Sequence, residues 1–468
     1  MVSNLLISFK ESILTNGLVE RGDKIILAVS GGLDSVVLLH LFLKIKSEWN
    51  LKLVICHINH NLRGAEANRD QLFVEKLAEN RHIVLHTQSV DVLTFAKANK
   101  MGIEEAARIL RYRALDALRT KLAYHKIATG HTADDQVETV LDHFLRGSGL
   151  RGLQGMEECR GNYIRPLLEF SRMQLSKYAV QNKISHIEDT SNNNLDFKRN
   201  RIRHELIPHL ETAFNPNIRQ MILRTSEIFS EAENYFQKKA DEIFESLVFF
   251  QNKNEIVLDI KSFLGYFKVL KKYTLIKAFQ ELKIDRNSLN FIAFQRILTL
   301  IENQKIGKRI QINTDFEVLV DHDGLVVHKV QNQTPQKTEF SLSQKGREVT
   351  YNDYLFSWNV SKKSEIAKYK QNPNIEFFDA GKLSKQLVLR SFNSGDHFKP
   401  INFSGEKKIS KYFSDKKVPL RKRKRIPILK SDNRVAWVCG YCLDDAYKVT
   451  SITEHVLKFE LMERTNGI

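Results

Sequence analysis

Residues 24–29, KIILAV, form a compact apolar run that stops at Ser30-Gly31-Gly32-Leu33-Asp34-Ser35. A short apolar run bounded by glycines reads as a buried strand, and the following SVVLLHLFLKI has helical periodicity. The same alternation then recurs. LKLVICHIN (51–59) is a second strand, residues 66–80 a helix, HIVLHTQSV a third strand, and EEAARILRYRALDALRTKL (104–122) a long amphipathic helix. KIATG (126–130) is a fourth strand, and ADDQVETVLDHFLRG begins another helix. Strands joined by helices of this length pair as crossover units, so the expected fold is α/β with a doubly wound parallel sheet.

At about 100–200 residues per domain, 468 residues suggest about three domains. The first is expected over 1–215. Residues 216–330 read as mainly helical, with Ile218, Ile222, Phe229, Phe236 and Ile243 recurring on one face, and end in a strand hairpin turning at Asp323-Gly324. Residues 331–375 read as a linker with irregular strands. Residues 376–468 read as a basic, mixed α/β module with strand patterns in QLVLRSF, VAWVCGY and HVLKFELM.

The loop at 30–35 has the composition of an anion site. Two glycines let the backbone approach a phosphate, Ser30 and Ser35 add hydroxyl donors, and a helix start offers free N–H groups. It also lies where open α/β sheets bind ligands. Asp34 belongs in such a site only if a cation bridges it to phosphate, and Mg²⁺ suits that arrangement. The plainer alternative is an ordinary strand-to-helix turn with Asp34 as a helix-start residue.

A second cluster, His131-Thr132-Ala133-Asp134-Asp135-Gln136-Val137-Glu138, follows the fourth strand. Residues three and four apart share a helix face, which gathers His131, Asp134, Asp135 and Glu138 above the sheet. Such a group can hold Mg²⁺, capture an ammonium or take a proton from one. The alternative is a helix start enriched in acids for its dipole.

Lys+Arg exceed Asp+Glu by 17, an excess that points to a polyanionic partner. Arg108 and Arg111 share a helix face. Lys198, Arg199, Arg201 and Arg203 follow an Asn-rich loop where Thr190 or Ser191 could cap a helix. From Lys407 to Arg425 there are ten Lys/Arg against one acid, Asp415, with Tyr412 and Phe413 interleaved. Lys407, Lys408, Lys411, Lys416, Lys417, Arg421 and Arg423 are the candidate RNA contacts there.

No apolar run reaches the ~18 residues of a membrane span, so no membrane partner is expected. The start of the chain lacks the features of a secretory leader. The four cysteines (Cys56, Cys159, Cys439, Cys442) read as reduced and structural, and the expected compartment is the cytoplasm. The oligomeric state, monomer or homodimer, stays open.

SGGLDS after an apolar strand resembles the signature loop of the N-type ATP pyrophosphatases. Together with HINHNLRG (57–64), EEAARILRYRAL (104–115), ATGHTADDQVETVLDHFLRGSGLRGLQGM (128–156), IRPLL (164–168), EDTSNNNLDFKRNRIRHELIPHL (188–210), SGDHF (394–398) and KKISKYFSDKKVP (407–419), the chain resembles the bacterial tRNA(Ile)-lysidine synthetases. One departure is GHT at 130–132, where such proteins commonly carry GHH or GHN.

The resemblance implies a reaction. ATP adenylates the C2 oxygen of the wobble cytidine in the CAU anticodon of an isoleucine tRNA, and the ε-amine of free L-lysine displaces AMP. The product, lysidine, switches decoding from AUG to AUA. On this reading Ser30, Gly31, Gly32, Leu33, Asp34 and Ser35 bind ATP, and Asp34 with Asp135 handles Mg²⁺. His131, Asp135 and Glu138 capture and deprotonate lysine, Arg203 contacts phosphate or cytidine, and Arg108, Arg111 and Arg199 contact tRNA. Two rivals share the fold: an ATP-dependent tRNA 2-thiolation enzyme, which would need a reactive cysteine or a cluster, and a non-enzymatic RNA-binding protein.

Overall fold

The computed structural model describes residues 5–62, 64–188, 195, 198–303, 305–330, 339–342, 347–352, 354–369 and 372–463. The chain forms two compact units, 1–235 and 236–468.

The first unit runs α1 (Leu5–Thr15), β1 (Lys24–Ala28), α2 (Leu33–Ile45), β2 (Lys52–Asn59), α3 (Ala65–Asn80), β3 (Leu85–Ser89), α4 (Val92–Asn99), α5 (Ile103–Leu122), β4 (Lys126–Ala128), α6 (Ala133–Leu145), α7 (Leu150–Leu153), β5 (Cys159–Arg160), β6 (Tyr163–Ile164) and α8 (Arg172–Gln181). The sheet order is β3-β2-β1-β4-β6-β5, and every pairing is parallel except β5 with β6. The expected doubly wound sheet is present, with one antiparallel edge.

Both faces are covered, which explains the continuous apolar strands. Ile25 and Leu27 of β1 pack with Val37, Leu41 and Phe42 of α2. Ile26, one residue out of phase, faces the other way onto Leu115 and Leu118 of α5. β1 has β2 on one side and β4 on the other, so the loop leaving β1 sits at the topological switch point.

After α8 come α9 (Lys198–Arg201), a π-helical turn (Ile202–Leu206) and α10 (Ile207–Ala213). Thr190 and Ser191 lie outside the described residues. The long helix α11 (Ile218–Leu247) follows.

The second unit departs from the expectation of helices closed by one hairpin. It contains β7 (Val248–Asn252), β8 (Glu255–Leu258), α12 (Ile260–Leu264), α13 (Lys268–Glu281), α14 (Phe291–Glu302), β9 (Arg309–Gln311), β10 (Phe316–Asp321) and β11 (Gly324–Lys329). These strands make an antiparallel sheet, β7-β8-β11-β10-β9, packed on the helices through Leu258, Phe263, Phe279, Ile297 and Val318. The β7–β8 hairpin escaped sequence reading because its strands are short and flank the helical run.

Within 331–375, where irregular strands were expected, the described residues form regular ones. Phe340–Leu342, Arg347–Tyr351 and Tyr354–Ser361 are strands. Tyr354–Ser361 pairs along its length with Val456–Glu463, and Phe356, Trp358 and Phe459 share one buried cluster with Leu387, Leu429 and Trp437. The pairing partner is about a hundred residues away, beyond the reach of local pattern.

Candidate active site

The loop after β1 bends at Gly31, whose φ of +100° favours glycine. A Cβ there would also lie 3.2 Å from Ile187 Cδ1. Ser35 Oγ accepts from Ser30 N–H (3.2 Å) and donates to Gly32 C=O (2.9 Å), closing the loop on the first turn of α2. Leu33 is buried beneath, while Ser30 stays exposed. Gly130, at the end of β4, packs on this turn: a Cβ at that position would sit 3.1 Å from Ser35 N and from Asp34 C. Only a missing side chain lets the two strand ends approach this closely.

Asp34 is the unusual member. Burial pushes its carboxyl up to about 6, with Arg172 and Arg203 opposing and Asp135 and Asp134 adding to the rise. Its Oδ1 is buried and makes no hydrogen bond. A desolvated carboxylate oxygen without a donor fits a cation ligand. Among the described residues no group of three or more His, Cys, Asp or Glu is arranged to hold a metal. Mg²⁺ commonly takes one or two carboxylates and completes its shell with phosphate oxygens and water.

Helix α6 starts beside this loop. Thr132 is its N-cap, and Asp135 at the third helical position completes a capping box. Asp135 Oδ2 accepts from Thr132 N–H (2.8 Å) and Thr132 Oγ1 (3.0 Å). The threonine of the GHT variant therefore has a definite task. Asp135 Oδ1 accepts from Arg199 Nη2 at 2.6 Å, with Arg203 Nη2 at 3.5 Å. With both oxygens so engaged, Asp135 is not arranged to share a cation with Asp34, a departure from the expected metal pair.

Glu138, only 1% exposed, receives Arg199 Nε at 2.7 Å and Arg203 Nε at 2.5 Å, with Arg203 Nη2 at 3.1 Å. Arg199 thus joins the carboxylates directly, although its side chain remains 40% exposed. Burial would raise Asp135, but Arg199, His131 and Thr132 hold it below the usual carboxylate range. Burial, with Arg111, Arg165 and Arg199 close by, drives His131 well below its ordinary value against the pull of Asp135. The imidazole is therefore neutral at physiological pH, and its Nδ1 lies 2.9 Å from Thr129 Oγ1. Asp134 turns away: Arg172 N–H (2.7 Å) and Arg219 Nη1 (2.9 Å) hold it as a brace to α8 and α11.

The guanidinium carbons of Arg108 and Arg111 each lie 5.8 Å from the centre of the Tyr112 ring. Arg165, nearly fully buried, donates to the Glu157 carbonyl and leaves its Nε unpartnered. Sequence reasoning passed over Gly130, Arg165 and Arg172. The basic, apolar IRPLL stretch was the one local signal for Arg165.

The C-terminal basic run divides by residue type. Lys408, Lys411, Lys416 and Lys417 are exposed, as are Lys422 and Lys424. Lys407 is half-buried and pairs with Asp415. Arg421 and Arg423 face inward, which corrects their assignment as RNA contacts. Arg421 is held by Glu255, Asp321 and Asp323, and Arg423 donates to the Val418 carbonyl.

Residues 5–210 match the PP-loop domain family, and residues 387–459 match the TilS substrate C-terminal domain family. The chain is 31% identical to the tRNA(Ile)-lysidine synthase of Caldanaerobacter subterraneus subsp. tengcongensis over 445 residues, 95% of this chain and 94% of that protein. It is 29% identical to the tRNA(Ile)-lysidine synthase of Clostridioides difficile, covering 95% and 96%. It is 30% identical to that of Clostridium perfringens, covering 96% and 98%. A phosphate loop at the switch point, carboxylates and arginines above it, and likeness along nearly the whole length lead to one assignment: the chain belongs to the tRNA(Ile)-lysidine synthase family.

Proposed function

We propose that this protein joins L-lysine to C2 of the wobble cytidine of an isoleucine tRNA with the CAU anticodon, consuming ATP and releasing AMP and diphosphate. The observation that carries this reading is the ion-paired Asp135–Glu138–Arg199–Arg203 cluster beside the 30–35 loop, in a chain of this family.

The loop amides and α2's N-terminus cradle the ATP phosphates. Asp34 supplies the carboxylate for Mg²⁺, which would neutralise phosphate charge and favour departure of diphosphate. The cytidine C2 oxygen bonds to the α-phosphorus as diphosphate leaves. The lysine ε-nitrogen then bonds to C2, the C2–O bond breaks, and AMP departs.

A protonated amine has no lone pair to attack with, so its proton must first be taken. Asp135 and Glu138 are the acceptors at hand. Their arginines supply the complementary service, positive charge for phosphate. His131, neutral and hydrogen-bonded, positions the pocket rather than carrying charge. The exposed C-terminal lysines hold the tRNA backbone. The cytoplasm is the expected compartment, and among the described residues no helix is long and apolar enough to cross a membrane.

Cys56 and Cys439 are buried and give the sulfur-transfer alternative no support, while Cys159 is the one exposed cysteine. Burial pushes the Cys56 thiol up to about 12 and Cys439 well above its ordinary value. Neither is a ready thiolate.

The test is incubation with Mg²⁺, ATP, radiolabelled lysine and an unmodified CAU-anticodon isoleucine tRNA transcript, with a methionine tRNA transcript as control. Base-stable, ATP-dependent label on the isoleucine transcript alone is the expected result. Diphosphate release without label would reopen the identity of the nucleophile.

A further inference from the structure

The arginine at 421 sits in an unusual socket. Its side chain is 9% exposed. Nε and Nη2 donate to the two oxygens of Glu255, both at 3.0 Å. Nη1 and Nη2 donate to Asp323 at 2.7 and 2.8 Å, and Nη1 also reaches Asp321 at 3.1 Å. Two bidentate carboxylates on one guanidinium use the planar fork fully, a geometry lysine cannot reproduce.

The backbone is fixed as well. Asp321 accepts from Leu420 N–H at 2.9 Å, as a carboxylate at the start of the short helix Leu420–Arg423. Leu420 lies so close to Gly307 that a Cβ there would meet its Cδ1 at 2.7 Å. Lys422 Nζ stands 5.4 Å from the centre of the Phe250 ring.

All the acceptors belong to the β7–β11 sheet, and all the donors to the basic run of the C-terminal module. The run carries its exposed lysines on both sides of this anchor: Lys408, Lys411, Lys416 and Lys417 before it, Lys422 and Lys424 after it. A flexible polybasic loop would present these charges in many arrangements. A loop pinned at its midpoint presents one.

We propose that Arg421 is a positioning residue for tRNA: by locking the basic run onto the middle sheet, it makes the sheet module and the C-terminal module grip the substrate as a single body. The proposal rests on the reading that the exposed lysines contact tRNA. It predicts that loosening the anchor weakens tRNA capture while leaving the chemistry intact.

The experiment is a double-mutant cycle on full-length protein, read by steady-state lysidine formation. R421M is combined with K416E/K417E. Because R421M leaves three carboxylates facing one another and could unfold the unit, Glu255→Gln with Asp323→Asn serves as a parallel variant that keeps shape and lowers charge. Folding is checked by circular dichroism.

The expected result is a rise of about tenfold in the KM for tRNA with the anchor variants. The kcat and the KM for ATP should stay within about twofold. The anchor and lysine changes together should lose clearly less than the product of the two separate losses. Fully multiplicative losses, or a fall in kcat at constant KM, would overturn the positioning role alone. Lysine variants that leave the KM for tRNA unchanged would overturn the tRNA-contact reading, and this inference with it.

Discussion

Arg199 and Glu138, 61 residues apart in the chain, are joined by a 2.7 Å bond from Nε to Oε2, and Arg203 takes the other Glu138 oxygen. The carboxylates suited to receive lysine are thus already occupied by cations of the same protein. An incoming ammonium must replace a guanidinium, and an incoming phosphate gives that guanidinium somewhere to go.

Substitutions at this cluster should therefore separate chemistry from binding. Asp135→Asn keeps an oxygen for the Thr132 cap but removes the charge. Lysine incorporation should fall about a hundredfold or more, while tRNA affinity by filter binding changes less than about threefold. Near-normal turnover in this variant would remove Asp135 from the proton-acceptor role.

Asp34→Asn should be more stable and inactive. A carboxyl whose folded pKa is raised to about 6 from 3.8 binds protons more tightly in the folded state. Its penalty is absent below pH 3.8, grows through pH 6 and is complete above it, where linkage sets an upper bound of about 3 kcal/mol. The thermal midpoint of the metal-free variant should exceed that of the parent at pH 8, and the gap should close at pH 4. Diphosphate release should be lost at both.

Gly130→Ala tests the contact between strand end and loop. The new methyl would lie 3.1 Å from Ser35 N, so the loop or β4 must shift by a few tenths of an ångström. The KM for ATP should rise about tenfold, measured by tRNA-dependent diphosphate release, with tRNA affinity unchanged. An unaltered KM for ATP would show that the loop tolerates this displacement.

Six exposed lysines in the C-terminal run, if each neutralises a phosphate, imply a log–log slope of tRNA affinity against salt of about −4 to −5. K416A/K417A should make the slope shallower by about 1.5. Arg423→Ala, which removes an inward-facing side chain, should lower stability and leave the slope alone. A steep slope loss with Arg423→Ala would put that guanidinium back on the RNA surface.

The catalytic half of the molecule was legible because its signals are local. SGGLDS follows its strand within a few residues, and His131 to Glu138 spans two helical turns. What the sequence hid was pairing over distance. Arg199 and Arg421 read alike as members of basic runs, yet one meets Glu138 and the other Glu255, 166 residues away. Asp135 illustrates the same limit: its position as a capping partner was local, but the pairing of its other oxygen with two arginines was not. The β7–β8 hairpin was missed because its two short strands flank a strongly helical run, and the pairing of Tyr354–Ser361 with Val456–Glu463 lay beyond any local pattern.

The strand Val456–Glu463 lies between Tyr354–Ser361 and Ile375–Asp379 in its sheet, so two neighbours wait for it. During synthesis both must leave the ribosome first and hold open the edges that will receive it while the intervening residues follow. Until this strand is released, the module exposes two open edges and an apolar layer of Phe356, Trp358 and Phe378. Nascent chains are thus exposed to edge-to-edge association until this strand has been made.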